Sequence, residues 1–84
     1  MKINKIIEIS FSKGGIIEVR WSRKNPELFD DITVALGFAC RLRDEERGEP
    51  CILLPPNALT YLAINYDESL WQKGVKKAEE ILEE

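Results

Sequence analysis

Two short stretches with an apolar residue at every second position, separated by Lys13-Gly14-Gly15, constrain this chain more than any other feature. From Ile3 to Phe11, the positions Ile3, Ile7, Ile9 and Phe11 are apolar while Asn4, Glu8 and Ser10 are polar. From Ile16 to Trp21 the same period returns in Ile17, Val19 and Trp21 against Glu18 and Arg20. A period of two belongs to a half-buried strand. Parity then restricts the connection. A two-residue loop would place Ile9 and Val19 on opposite faces, so the hairpin needs a loop of odd length. Three residues, Lys13 to Gly15, pair Phe11 with Ile17, Ile9 with Val19 and Ile7 with Trp21. Such loops end in a left-handed residue, which glycine adopts without steric cost.

Asn25-Pro26 reads as a helix start, with Asn as cap and Pro in the first turn. Leu28, Ile32, Ala35, Leu36, Ala39 and Leu42 follow at helical spacing, which predicts a helix over 26–47 closed by Arg47 and Gly48. Cys51 to Leu54, bounded by Pro50 and Pro55-Pro56, reads as a short buried strand. If it lies instead at a sheet edge, it invites pairing with another chain. Leu59 to Tyr66 is ambiguous. Leu59, Leu62, Ala63 and Tyr66 fit a helix capped by Asn57, whereas Thr60, Leu62, Ile64 and Tyr66 fit strand alternation. The strand is preferred, because Pro55-Pro56-Asn57-Ala58 makes a turn and Asp67 starts a better helix. In that last helix Leu70, Trp71, Gly74, Val75, Ala78, Ile81 and Leu82 form one face. The expected fold is therefore a single α+β domain over 1–84, a two-layer ββαββα arrangement. Its four-stranded, mainly antiparallel sheet carries two helices packed on one face.

Chemistry is limited by what is missing. The 84 residues include no histidine, which removes the commonest general base and metal ligand, and with it the Ser-His-Asp and Cys-His mechanisms. Two cysteines alone cannot close a structural zinc site. Gly14-Gly15 lies between strands and opens no helix, so it is no phosphate cradle. Asp30 with Asp31, and Asp44 with Glu45 and Glu46, are better read as a favourable helix N-terminus and a solvated helix surface than as catalytic or cation-binding groups. The expectation is a protein that is not an enzyme and uses no cofactor and no metal. Cys40 and Cys51 read as buried thiols, with a bridge between them confined to an oxidising compartment. Short apolar runs and the alternating N-terminus predict neither a membrane span nor a signal peptide, which points to a cytoplasmic location.

Charge is unevenly placed along the chain. Residues 1–25 carry six bases and two acids, a balance of +4, and residues 26–84 carry six bases and thirteen acids, a balance of −7. Arg20, Arg23, Lys24 and Lys13, with Lys2 and Lys5, make a diffuse basic patch around Trp21, whose strand parity assigns its ring to the core. Tyr61 and Trp71 also read as core, with an interface role second. Two functions remain. The first is a non-catalytic protein-binding, adaptor or regulatory domain, which includes self-association as a homodimer. The alternative is a nucleic-acid-associated module that uses the basic N-terminal hairpin.

Overall fold

The computed structural model describes residues 6–21, 25–45 and 51–83. Its first hairpin joins β1 (Ile6–Phe11) to β2 (Ile17–Arg20), and the observed pairs include Ile9 with Val19 and Phe11 with Ile17. This is the register that parity requires. The Ser12 N–H donates to the Ile16 carbonyl at 2.7 Å and closes a three-residue turn over Lys13–Gly15. Both glycines are left-handed, with φ of 73° at Gly14 and 78° at Gly15, a region costly for residues bearing a Cβ. Ile7, Ile9, Ile17 and Val19 are buried, so the alternation buries the expected face.

The helix expected from residue 26 starts later. Residues Glu27–Phe29 form β3, antiparallel to β2, with Ile17 opposite Phe29 and Val19 opposite Glu27. Helix α1 spans Ile32–Glu45. Its cap is Asp31, whose Oδ1 accepts from the Thr33 N–H at 2.8 Å and from the Val34 N–H at 3.3 Å. Leu28 sits at helical spacing from Ile32, yet in β3 it is exposed while Phe29 is buried. The free edge of β2 takes up residues 27–29, and Asp31 outcompetes Asn25 as the cap. Pro26 just precedes this edge strand, a place where a missing N–H costs little. Arg47 and Gly48, the expected helix stop, lie outside the described residues.

Strand β4 (Cys51–Leu53) exists as expected but runs parallel to β1, with Ile7 opposite Ile52. The sheet order is β3-β2-β1-β4, so the sheet is mixed and β4 is an edge. Only Ile52 is partly covered, while Cys51 and Leu53 are exposed. The expectation of a buried strand fails because α1 carries the chain back along the sheet and returns it beside β1, where no described strand flanks β4 on its outer side.

Residues expected to form a further strand are instead helix α2 (Ala58–Asn65). The Ala58 N–H donates to the Pro55 carbonyl at 3.2 Å and the Tyr61 N–H to the Asn57 carbonyl at 3.0 Å. Asn57 itself is left-handed, at φ 68°. The turn after Pro55-Pro56 thus winds directly into a helix. Over eight residues the two periodicities are equally compatible with this sequence, and the local hydrogen bonds select the helix.

Helix α3 (Glu68–Leu82) begins where expected, with Asp67 accepting from the backbone N–H groups of Ser69 at 2.9 Å and Leu70 at 3.1 Å. There are three helices among the described residues, and α3 packs chiefly on α1. The expected ββαββα layering, with two helices on one sheet face, is therefore corrected. Ile32 through Ala39 are buried without a break, the mark of a helix covered on opposite sides. Close contact along this seam depends on two glycines. A Cβ on Gly37 would meet the backbone of Trp71, and one on Gly74 would meet the backbone of Val34 and Phe38. Phe38 anchors the core, with ring centroids 4.9 Å from Phe29 and 5.4 Å from Trp21. Trp21 is accordingly a partly buried core ring.

Candidate functional site

The four basic residues singled out from the sequence are placed as follows. Lys13 is exposed in the hairpin turn. Arg20 lies at the other end of β2, on the face pointing away from α1. Its Nη2 bonds Glu18 Oε1 at 2.9 Å, and Glu8 stands directly opposite. Strand geometry of about 3.3 Å per residue keeps Lys13 and Arg20 well apart. Arg23 and Lys24 lie outside the described residues, as do Lys2 and Lys5.

Of the acidic groups singled out from the sequence, Asp31 and Glu45 have structural partners, and Glu46 lies outside the described residues. Asp31 caps α1, and Glu45 accepts from Arg41 at 2.9 Å, while Arg41 also reaches Glu79 of α3 at 3.2 Å. Among the described residues no group of three or more His, Cys, Asp or Glu side chains is arranged to hold a metal ion. Both cysteines are free thiols. Cys40 is half-buried, and burial pushes its thiol up, partly offset by the Arg43 charge; Cys51 is exposed. The reading of Cys51 as buried is corrected by its place on the outermost strand. Among the described residues no helix is long and apolar enough to cross a membrane.

The distinctive surface lies on α2. This helix contains no charged residue, and only Ala58 is buried. Leu59 is 65% exposed, Tyr61 51% and Ile64 74%. A surface helix with apolar side chains all round either lies inside a larger core or meets another molecule. Tyr61, expected in the core, is instead exposed, with its ring against Phe11 edge-on at 5.7 Å.

Beside α2 the hairpin tip and the starts of α1 and α3 enclose an open cleft of about 620 Å³. Its apolar wall includes Phe11, Ile17, Ile32, Tyr61, Ile64 and Leu70, and its charged groups among the described residues are Asp30, Asp31 and Asp67. Asp67 is held below the usual carboxylate range first by the Ser69 hydroxyl and then by the Leu70 N–H. Tyr66, also in the lining, donates its hydroxyl to Glu68, which lowers the Glu68 carboxyl and raises the phenol. Asp30 also borders a second cleft of about 520 Å³, whose bases are Lys73, Lys76 and Lys77. Lys77 there pairs with Glu27 at 3.4 Å.

Sequence reasoning missed this site because it read α2 as a strand. The available signal was the absence of any charge from Ala58 to Tyr66, a stretch too apolar for a small domain to cover completely. Compared with known proteins, the chain matches no family model, no curated protein and no solved structure.

Proposed function

We propose that this protein works by binding another protein, without catalysis, and that it docks through the exposed face of α2. The observation that carries this reading is the uncharged helix with Leu59, Tyr61 and Ile64 each more than half exposed. Burying such side chains yields about 25 cal/mol per Å² of apolar surface, and aromatic anchors of this kind dominate interface energies. Nucleic acid is disfavoured as the occupant, since phosphates require cations and α2 has none. An anionic lipid surface is disfavoured for the same reason, because interfacial helices carry lysine and arginine on their polar face.

The test places a photo-crosslinking residue in the full chain at position 59 or 64, with position 80 on α3 as control. The expected result is a discrete protein adduct at 59 and 64, absent at 80, with the adduct at 59 lost in Ile64→Glu, whose melting temperature stays unchanged. Adducts at all three positions, or at none, would refute docking through α2. An adduct of twice the chain mass identifies the partner as a second copy.

A further inference from the structure

The cleft beside α2 differs from the rest of that surface in its charge. Among the described residues three carboxylates line it, and no lysine or arginine does. Two helix N-termini also end there, each worth about half a positive charge. Against three carboxylates that leaves a balance of about two negative charges. Asp31 and Asp67 each accept backbone N–H groups through Oδ1, which leaves Oδ2 able to accept from a ligand. Asp30 is exposed and has neither a hydrogen-bond nor an ion-pair partner among the described residues. A cleft of about 620 Å³ lies within the range of ligand pockets. Its carboxylates are not arranged to hold a bare metal ion.

We propose that the docked partner presents a lysine or arginine to this cleft, flanked by an apolar residue that packs on Tyr61 and Ile64. The proposal rests on the docking reading above and adds the chemistry of the partner. The alkyl stem of a basic side chain packs along the aromatic rings of Phe11 and Tyr61 while its cation reaches the carboxylates. The three lysines of the neighbouring cleft repel the same cation, and so confine it to the α2 side of Asp30.

A random displayed peptide library selected on the full chain tests this, with the bound peptides mapped by amide chemical shifts. Asp30→Asn is the informative variant, because Asp30 caps no helix and pairs with nothing described. The expected peptides carry a lysine or arginine beside Leu, Ile, Phe or Trp. They should shift Asp30, Tyr61, Ile64 and Leu70, lose affinity as salt rises, and bind Asp30→Asn roughly two- to fivefold more weakly, the scale of an exposed ion pair. Peptides that map to α2 without basic enrichment, or that ignore Asp30→Asn, would overturn this inference and leave docking standing. Peptides that map elsewhere, or no binders at all, would overturn both. Broadening at α2 in the peptide-free protein, with a dimer mass in sedimentation, would make a second copy the occupant and refute the peptide assignment.

Discussion

The carbonyl oxygen of Val34 fills the space in which Gly74 would carry a Cβ, and the Phe38 backbone nitrogen would lie 2.8 Å from that atom. The obstructing atoms belong to a helix backbone and cannot rotate away as a flexible side chain could. The α1–α3 seam is therefore set by main chain against main chain, with Gly37 meeting Trp71 in the reciprocal arrangement.

Gly74→Ala should destabilise the protein even though alanine is the better helix former. Overpacking costs about 1–3 kcal/mol, and the propensity gain returns about 1 kcal/mol at most. A net loss of up to about 2 kcal/mol lowers the melting temperature by about 4–8 °C per kcal/mol in a domain of this size. A calorimetric scan in which Gly74→Ala melts at or above the parent would show that the helices stand further apart.

Asp31→Ala should cost about 1 kcal/mol in urea unfolding, the usual value of a lost helix cap. Asn25→Ala should leave the midpoint within about 0.5 kcal/mol, as expected of a surface change away from a cap. The reverse ranking would return the helix start to Asn25-Pro26.

Thr33 is fully buried, and its hydroxyl has no hydrogen-bond partner among the described residues. An unsatisfied buried polar group costs about 1–3 kcal/mol. Valine has nearly the same shape, so Thr33→Val should raise the melting temperature, by about 4–8 °C for each kcal/mol recovered. A lower melting temperature would reveal a bond made by that hydroxyl.

The start of α3 should loosen in acid. Asp67 and Glu68 are both held below their ordinary values of 3.8 and 4.5, chiefly by the hydroxyls of Ser69 and Tyr66 respectively. A carboxyl lowered by folding contributes stability that is fully present above its unfolded value and is lost as pH falls through its folded value. Stability should therefore decline as pH drops below these ordinary values. The double variant Asp67→Asn, Glu68→Gln should flatten that decline in a pH series of urea midpoints. An acid limb as steep as the parent's would assign the effect to other groups.

Several elements were legible because their signals are local. The hairpin register follows from parity and two glycines, and the start of α3 from Asp67 placed just before an apolar face. Where two local signals overlapped, the reading failed. Leu28 fits the helical spacing of Ile32 and Ala35, yet β2 draws it into a strand. Thr60 to Tyr66 fits two periods, and only the turn at Asn57 separates them. The cleft was hidden for a different reason: Asp30 and Asp31 lie more than thirty residues from Asp67 in the chain. They converge because α1 and α3 begin at the same end of the molecule.

The amino-acid sequence alone determined the first hairpin, the existence of α1, β4 and α3, and the absence of histidine chemistry. These follow from the spacing and identity of neighbouring residues, which backbone geometry reads directly. Tertiary structure alone decided the direction of β4, the stacking of α3 on α1 and the exposure of α2. Each of these depends on which distant surfaces meet, and the contact energy between residues far apart in the chain leaves no periodic trace in the order of the residues themselves.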